Sequence, residues 1–411
     1  YILIASTTRY HFVCLSFQNT YIMAKTFSRE EVAQRNTEDA VWCIIDHRVY
    51  DLTDFLDAHP VPLVVDPVMV ASSGATLLLD DAVELVHVVR NGFVESRTPG
   101  AAVVTGPDGT VLAALGPVDA LIYPRSTLKP FQAIASLRHG ARLEGEEVAI
   151  ACGSHRGTAA HRELAARILA EAGLSAADLQ CPPDYPADAA EIVRFAQDLE
   201  HGAEKTPLAY NCSGKHAGFL AACVAAGHEV GTYLEPDHPL QAEVERVIEE
   251  YCGEPVAHTG TDGCGAPAAV LSLTALARGI GKVASAPSRR DAEIHAATVA
   301  NAMLEHPWAV HGQSSSNTVV MRELGLLAKL GADGVMVMAA PDGTAVAVKA
   351  LDGGTRAGNL VALALLAQFA PDHVDADRLP AVLETVAPKI LGKGEPVGAV
   401  RLARPVLDLL D

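Results

Sequence analysis

The stretch ELVHVVRNGFVESRTPGAAVVTGPDGTVLAAL, residues 84–115, decides the fold class. Its two apolar runs predict strands, and the Pro-Asp-Gly sequence at 107–109 predicts a hairpin turn between strands. Another Pro-Asp-Gly turn predicts a second strand pair over 334–340 and 344–351. Hairpins of this kind build an antiparallel sheet, because each strand returns beside the strand before it.

Helical segments surround these strands in the sequence. The short apolar run 147–152 predicts one further buried strand. Apolar spacing predicts helices over 127–138, 159–172, 215–226, 239–251, 288–304 and 359–369. Hairpin-built strands with helices grouped around them indicate an α+β or mixed α/β fold, not a strictly alternating parallel sheet.

The net charge excludes several classes of partner, and the cysteine usage indicates the redox compartment. The chain of 411 residues carries a net charge of -19, and an acidic surface repels phosphates and anionic lipid. We therefore expect no nucleic acid and no membrane as partners. Eight widely spaced cysteines are too few for a disulfide framework, which favours reduced thiols and a cytoplasmic location.

The N-terminal region differs from the remainder of the chain. Residues 1–23 are expected to be a non-native or disordered leader, since the first methionine before a coherent segment is Met23. Residues 24–60 end in VYDLTDFLDAHP and resemble the first part of a cytochrome b5-like haem domain. His59 matches that family's axial ligand, but Val-Pro follows where the family has two glycines. With the second ligand unrecognisable, we expect a truncated fragment without haem.

Two shorter segments complete this region. Ser28 and Glu31 have the spacing of a capping box, which predicts the start of a short helix. Residues 61–83 resemble a short internal piece of the hydroxymethylpyrimidine phosphate kinase family. That family's Gly-rich loop and catalytic aspartate are missing, so we expect a linker without kinase activity.

The motif YPRSTLKPFQ, residues 123–132, contains a Ser-x-x-Lys pair formed by Ser126 and Lys129. On a helix this spacing places the lysine beside the hydroxyl. A lysine whose pKa is lowered by burial or by another cation can accept the serine proton and activate the oxygen. The alternative is a helix N-cap followed by a surface lysine.

A second serine lies in ACGSHRGTAAH, residues 151–161. The sequence predicts that Ser154 follows a strand and precedes a helix, a junction that exposes a side chain and leaves backbone N–H groups free. The N–H groups around Gly153 and Ser154 are candidates to stabilise an oxyanion. The alternative is a helix cap beside a structural histidine.

Two Gly-rich segments, YNCSGKHAGFL and TGTDGCGAP, each contain one cysteine. Cys212 and Cys264 are about fifty residues apart and could supply two thiolate ligands to zinc, with His216 or Asp262 as a third ligand. Asp262 could instead orient a ligand or a water. Buried thiols without a metal are the alternative.

The strand motif VAVKALDGGTRAG, residues 346–358, contains Lys349 within an apolar run. A charge there is costly unless it is paired or used. Lys349 is therefore a candidate for a second desolvated lysine near a serine, and the alternative is a lysine on the solvent face of an edge strand.

Taken together and in this order, the motifs resemble the Rhizobium-type L-asparaginases, which contain zinc and use serine. The resemblance covers residues 84–411, which would form the catalytic domain. It implies a fold similar to serine β-lactamases and penicillin-binding proteins, with a central antiparallel sheet flanked by helices. It also implies a homodimer that hydrolyses L-asparagine to L-aspartate and ammonia.

The resemblance also implies roles for individual residues. Two Ser-Lys pairs would fall on Ser126 with Lys129 and on Ser154 with Lys349. Zinc would be held by Cys212, Lys215 and Cys264. The residues near the metal and substrate would be Arg125, Asp262 and His216.

The sequence departs from the family's pattern in three places, the last of which involves two residues. Thr98 and Tyr210 stand where the family usually has histidine, and Ser315 and Asn317 stand where it usually has arginine and aspartate. The last change puts substrate affinity in doubt more than the reaction.

The sequence therefore predicts an L-asparaginase in which Ser126 or Ser154 attacks the side-chain amide and Lys129 or Lys349 accepts the proton. Two other functions stay open. One is a different Ser-x-x-Lys acyl transferase, such as a glutaminase or a β-lactam hydrolase, although the Ser-Asp-Asn and Lys-Thr-Gly motifs of β-lactamases are not recognisable. The other is a non-enzymatic haem module formed by the N-terminal fragment.

Overall fold

The computed structural model divides the chain into two compact units, Tyr1–Ser73 and Gly74–Asp411. In the first unit the structure describes only strand residues, and in the second it describes nearly the whole unit. The described residues are 5–6, 9–12, 25–27, 42–45, 48–51, 76–188, 191–194 and 204–410.

The described part of the first unit consists of short antiparallel strands. Three of them form one sheet and two form a hairpin; they are β1 (Ala5–Ser6), β2 (Arg9–Phe12), β3 (Lys25–Phe27), β4 (Trp42–Ile45) and β5 (Arg48–Asp51). Strands β4 and β5 are antiparallel, and Ile45 pairs with Arg48. The predicted helix at Ser28 and the candidate ligand His59 lie outside the described residues.

The second unit is built on an antiparallel sheet. Its strands are β6 (Val83–Arg90), β7 (Phe93–Thr105), β8 (Val111–Leu115), β12 (Leu327–Leu330), β13 (Val335–Ala339), β14 (Ala345–Ala350), β15 (Ile390–Gly392) and β16 (Glu395–Leu402). The order across the sheet is β12-β13-β14-β7-β6-β16-β15, with β8 also paired to β7. The strands β9 (Leu121–Ile122), β10 (His258–Thr261) and β11 (Pro267–Ser272) form a smaller antiparallel sheet.

Local turn chemistry explains the predicted hairpins. Gly109, at a φ of 80°, sits in the turn between β7 and β8, and the Asp108 carboxylate accepts hydrogen bonds from the backbone and hydroxyl of Thr110. Asp342 accepts the same two bonds from Thr344 between β13 and β14. Both Pro-Asp-Gly predictions are therefore confirmed, because an aspartate followed by glycine satisfies the turn locally.

The helices flank this sheet. They are α1 (Lys129–Arg138), α2 (Glu146–Ala151), α3 (Ala159–Glu171), α4 (Ser213–Ala226), α5 (Pro239–Cys252), α6 (Leu273–Ser285), α7 (Ile294–Glu305), α8 (Pro307–His311), α9 (Ser316–Leu324), α10 (Gly358–Phe369), α11 (Leu379–Val386) and α12 (Arg404–Leu407). Strand β13 is buried throughout, and both α6 and α10 pack on β13 and β14. An antiparallel sheet with helices around it confirms the predicted fold class.

Two sequence predictions about local structure were wrong. Residues 147–151 belong to helix α2 and not to a strand, and Cys152 is the C-cap of that helix. Glu146 and Glu147 occupy its first turn, where negative charge favours a helix, and Arg167 pairs with both. The helix predicted over 288–304 begins only at Ile294, because Ala286–Ser288 forms a separate 3-10 turn. Among the described residues, no helix is long and apolar enough to cross a membrane.

Candidate active site

The loop between α2 and α3 presents Ser154, whose side chain is half-buried. Gly153 precedes it in a position that has no space for a side chain: an added Cβ would lie 2.8 Å from the carbonyl oxygen of Ala309 and 2.9 Å from that of Ile150. The N–H of Ser154 donates to the carbonyl of Val310 at 2.7 Å. Helices α2 and α8 therefore hold the serine in one place.

Two buried lysines converge on the hydroxyl of Ser154. The Nζ atom of Lys129, on α1, lies 3.1 Å from Oγ, and the Nζ atom of Lys329, on β12, lies 3.0 Å from it. Lys129 also donates to the carbonyls of Gly153 and Asn211, and Lys329 to that of Leu330. Both lysines are at most 1% exposed, so a serine oxygen lies between two nitrogens that water scarcely reaches.

The surroundings favour a neutral amine on one of these lysines. Burial, together with the charge of Lys129, holds the pKa of Lys329 well below its usual range. Burial raises the pKa of Cys152 to about 12, so that its thiol stays protonated beside the lysines. Burial and the charge of Lys329 lower the pKa of His311 to about 3. The pocket thus disfavours additional charge, as a serine-lysine pair needs for proton transfer.

The structure does not place the predicted second lysine, Lys349, at Ser154. Its ammonium donates to the carbonyls of Asp333 and Ala350 at the end of β14, and Lys329 occupies the position beside the serine. The two lysines lie on the strands on either side of β13, Lys329 on β12 and Lys349 on β14. The side chain of Lys329 reaches Ser154 in the α2–α3 loop. Lys329 carried the same sequence signal as Lys349, a single lysine within an apolar strand, and was missed.

The predicted pair within YPRSTLKPFQ is divided in the structure. Lys129 turns towards Ser154, and within the described part of the chain no hydrogen bond joins it to Ser126. Ser126 is half-buried in the 3-10 turn Arg125–Leu128, which leads directly into α1. The Lys129 amine is instead held by Ser154 Oγ and by the carbonyls of Gly153 and Asn211, so the Ser126 hydroxyl and the amine do not meet.

The backbone groups proposed for an oxyanion are already occupied. The N–H groups of Gly153, Ser154 and His155 donate to the carbonyls of Ile150, Val310 and Asn211, respectively. This prediction was wrong because the end of α2 accepts the first of these bonds, and α8 and the segment before α4 accept the other two. Positive charge near Ser154 comes instead from lysine side chains.

A cluster of thiols and an amine lies beside the N-terminus of α4. Cys212, Lys215 and Cys264 are each at most 4% exposed, and the Nζ of Lys215 lies 3.1 Å from the sulfur of Cys264. The hydrogen bond with Cys264 is the main reason that the pKa of Cys212 is held well below its usual range, and Lys129 and Lys215 add to this effect. These residues fit a zinc ion by their chemistry, since they offer two sulfurs and a nitrogen.

The neighbouring His216 makes a different contact. Its Nδ1 atom lies 2.7 Å from the hydroxyl of Tyr233, and burial lowers its pKa to about 4. Among the described residues, no three His, Cys, Asp or Glu side chains are grouped as a metal site would require. A metal held by the two cysteines would therefore need Lys215 to complete three protein ligands.

A charged cluster lies close to the serine site. Arg125 forms an ion pair with Asp262 at 2.9 Å and a second one with Asp333. The pKa of Asp262, which burial by itself would raise, is lowered by the charge of Lys215 and by the N–H of Gly263 and the guanidinium of Arg125. Arg125 and Asp262 thus lie together, and their place near a metal and a substrate stays a prediction.

Two of the four residues that depart from the family's pattern are buried, and the other two are half-buried. Thr98 is 2% exposed, and Asn317 is fully buried in the first turn of α9. The hydroxyl of Tyr210 donates to the carbonyl of Gly263, which ties it to the loop that carries Cys264. Ser315 donates its hydroxyl to the carbonyl of His311.

The family model described as L-asparaginase II matches residues 86–402. The chain belongs to the L-asparaginase II family. This membership makes the second unit an amidohydrolase of the L-asparaginase type, and it confirms the family indicated by the sequence motifs.

The N-terminal region matches a second family model. Residues 28–71 match the cytochrome b5-like haem/steroid binding domain. Cytochrome b5 of Musca domestica is 56% identical over 36 residues, which are 9% of this chain and 27% of that protein. Cytochrome b5 of Borago officinalis is 38% identical over 65 residues, or 16% of this chain and 46% of that protein. The chain thus spans between a quarter and half of these relatives.

This match weighs against the expectation of a truncated fragment without haem. The matched segment, residues 28–71, reaches beyond the fragment expected at 24–60. His59 falls within it, but outside the residues that the structure describes.

Solved structures with some likeness to the chain include two kinds of protein. The structure of Mglu in its glutamate form is 16% identical, with a TM-score of 0.38, and the match covers 66% of this chain and 60% of that one. A β-lactamase from Mycobacterium bovis is 15% identical, with a TM-score of 0.31, over 67% of this chain and 95% of that one. At these values neither structure bears on the chemistry.

Proposed function

We propose that the second unit hydrolyses L-asparagine to L-aspartate and ammonia, with Ser154 as the nucleophile. The observation that carries this proposal is the position of Ser154 Oγ, 3.0 Å from Lys329 and 3.1 Å from Lys129 in a buried setting. Family membership supports the amide as substrate class, and the serine-lysine contact supports acyl transfer as the chemistry.

The depressed pKa of Lys329 makes it the base in this proposal. As Ser154 Oγ bonds to the side-chain amide carbon, the neutral amine of Lys329 accepts the hydroxyl proton. The proton then passes to the leaving nitrogen, the carbon–nitrogen bond breaks and ammonia departs. Water hydrolyses the ester that remains on Ser154 and releases L-aspartate.

Lys129 has a different part in the proposed reaction. Its Nζ lies beside Ser154 Oγ and is anchored by the carbonyls of Gly153 and Asn211. An ammonium group in this position stabilises negative charge that develops on the substrate oxygen, which the occupied backbone N–H groups cannot do.

Zinc would be held by Cys212, Lys215 and Cys264. Their burial and convergence support this assignment, and a bound zinc would supply positive charge that keeps thiolates deprotonated and fixes the loop around Cys264. Lys215 would bind as the neutral amine. Arg125 and Asp262 would then lie between this cluster and the substrate.

The test is an ammonia-release assay on L-asparagine and L-glutamine with three serine variants. Ser154→Ala should abolish turnover, with a loss of roughly 10⁴-fold or more in kcat, as for other serine nucleophiles. Ser126→Ala should cost less, and Ser175→Ala, which alters an exposed turn cap, serves as the control for the substitution itself. Retention of full activity in Ser154→Ala would refute the proposed nucleophile. Turnover of L-glutamine in preference to L-asparagine would refute the proposed substrate.

The alternative acyl transferase makes a separate prediction. A β-lactam hydrolase would turn over nitrocefin in a Ser154-dependent manner, and we expect no such turnover because the Ser-Asp-Asn and Lys-Thr-Gly motifs of those enzymes are not recognisable in the sequence.

A second function is proposed for the N-terminal segment, on the strength of the matched domain at residues 28–71. There we propose haem binding with His59 as a ligand. Purified full-length protein incubated with haemin should show a Soret band that His59→Ala removes. A spectrum unchanged from free haemin would exclude it.

A further inference from the structure

Two segments of the chain each connect the Ser154 site to a second charged cluster. Arg125 and Lys129 lie four residues apart, and Lys129 contacts Ser154 while Arg125 pairs with Asp333. Lys329 and Asp333 are also four residues apart, and Lys329 contacts Ser154 from the other side. The Arg125–Asp333 ion pair is therefore tied to the serine by two independent pieces of backbone.

The distance between the two places suits one amino-acid molecule. Arg125–Leu128 is a 3-10 turn, which rises about 2 Å per residue, so that Arg125 and Lys129 are separated by about 8 Å along the chain. The long side chains of both residues shorten that gap. The α-carbon of asparagine lies only two bonds from its amide carbon, so an amide at Ser154 places the α-substituents near Arg125.

A cavity is present at this second place. It has a volume of about 210 Å³ and is lined, among other residues, by Tyr123, Arg125, Asp333 and Lys349. The side chain of Asp333 is 64% exposed, whereas that of Asp262 on the other side of the guanidinium is only 16% exposed. Arg125 thus holds one carboxylate that is part of the protein interior and one that a ligand can reach.

The backbone at Arg125 is strained, and the backbone at Asp333 is not. Arg125 has a φ of 55°, a backbone conformation that glycine and asparagine adopt more readily than arginine does. Backbone strain of this kind is typical of functional sites. Asp333, at a φ of 53°, is followed by Gly334 at 74°, and Asp-Gly is the preferred pair for a tight hairpin turn. The turn between β12 and β13 therefore holds Asp333 in a backbone conformation that an Asp-Gly pair adopts with little strain.

Lys349 holds this turn from the adjacent strand. Its ammonium donates to the carbonyl of Asp333, and its own residue pairs with Val335, the first residue after the turn. Burial lowers the pKa of Lys349, and the carboxylates of Asp333 and Asp352 oppose that effect. The lysine that the sequence assigned to catalysis instead fixes the position of Asp333.

We propose that Asp333 is the residue that recognises the α-ammonium group of the substrate, and that Lys349 is the positioning residue that holds it. The inference rests on the proposed function. In the free enzyme the Asp333 carboxylate pairs with Arg125; when an amino acid binds, its α-carboxylate takes that place on the guanidinium. The released Asp333 carboxylate then accepts the α-ammonium, while Asp262 keeps its pairing with Arg125.

The experiment measures how L-aspartate and succinate bind to the full chain, from the rise in Tm with ligand concentration. Succinate has both carboxylates of L-aspartate but no ammonium group. We expect Asp333→Asn to weaken L-aspartate by about 10- to 100-fold and to leave succinate within a few-fold, since only the contact with the ammonium is lost. Asp342→Asn, at the tip of the next hairpin, is the matched control and should change neither affinity.

A second variant tests the positioning role. Lys349→Met should weaken L-aspartate less than Asp333→Asn does, with kcat on L-asparagine nearly unchanged and KM raised, and Lys349→Arg should restore most of the affinity. Equal losses for L-aspartate and succinate in Asp333→Asn would overturn the proposal. So would an unsubstituted protein that binds the two ligands equally well.

Because binding is measured without turnover, the two ideas can fail separately. An Asp333-dependent preference for L-aspartate in a protein that releases no ammonia would refute the proposed function alone. Ammonia release with an unchanged KM in Asp333→Asn would refute the recognition role alone.

Discussion

Lys329 on β12 and Lys349 on β14 lie in the same sheet, on either side of β13, and have opposite surroundings. Lys329 is fully buried against a serine hydroxyl and has a strongly lowered pKa. Lys349 is half-buried at the end of its strand and donates to backbone carbonyls. A lone lysine in an apolar strand therefore indicates that its cation has a role, but the neighbouring elements decide whether that role is catalytic or structural.

The largest expected difference between the two lysines is in turnover. Lys329→Met should lower kcat on L-asparagine by roughly 10²- to 10⁴-fold, because it removes the proposed acceptor of the Ser154 proton. Lys349→Met should leave kcat nearly unchanged, since its ammonium lies on the turn and not on the serine. The check is steady-state ammonia release, with circular dichroism to verify folding.

A loss of kcat in Lys349→Met as great as that in Lys329→Met would contradict the comparison. It would mean that the end of β14 takes part in the chemical step.

The pH dependence of turnover is the next largest effect. Lys329 must be neutral to accept a proton, so kcat/KM should fall about tenfold per pH unit as pH falls below its lowered pKa. The plateau should be reached at a pH well below the range in which an ordinary lysine loses its proton. Lys349→Met should keep this profile, whereas Lys329→Arg should be inactive at every pH because arginine stays protonated. A plateau reached only near the ordinary lysine pKa would argue against Lys329 as the base.

A smaller effect is expected from disturbing only the end of the sheet that carries Lys349. A Cβ at Gly100 would collide with the carbonyl oxygen of Lys349 and would lie 2.7 Å from Cδ1 of Leu85. Gly100→Ala should therefore lower the free energy of unfolding by about 1–3 kcal/mol, measured by urea denaturation. Gly106→Ala, whose Cβ would meet only side-chain atoms at 3.4 Å, is the control. Equal stability of the two variants would show that this end of the sheet yields easily.

The smallest effect concerns Cys152, a buried thiol near the two lysines at Ser154. The pKa of Cys152 is raised to about 12 by burial, so the thiol remains neutral and does not serve as an ionic partner. Cys152→Ala should leave kcat close to that of the unsubstituted protein and cost about 1 kcal/mol of stability from the lost packing. A loss of kcat comparable to that of Lys329→Met would show that the thiol takes part in proton transfer.

Much of the fold could be predicted because its signals are local. The Pro-Asp-Gly turns near Asp108 and Asp342 satisfy their own backbone groups, so the hairpins follow from a few adjacent residues. The segment EEVAIA misled the prediction, because a short apolar run has no period that separates a strand from a helix. Its helix depends on packing against α4 and α7 and on the pairing of its glutamates with Arg167.

The site was predicted less completely than the fold. Ser154, Lys129 and the thiol cluster were found because their motifs are dense and follow one another in a recognisable order. Lys329 was missed because LAKL has no neighbouring polar motif, and nothing within the strand tells it apart from the lysine in AVAVKA. The partner of Ser126 was misjudged for a different reason, since the Lys129 amine contacts Ser154 and two backbone carbonyls that distant segments of the chain supply.

By itself, the sequence determined the hairpins, most of the helices, the family of the second unit and the match of residues 28–71 to a haem/steroid binding domain. Only the tertiary structure decided which lysine meets Ser154 and which holds the turn at Asp333. Ser154 and Lys329 are 175 residues apart in the chain, and their contact depends on how the α2–α3 loop packs beside the first strand of the sheet. A contact of that kind follows from the packing of whole elements, which no local pattern of residues encodes.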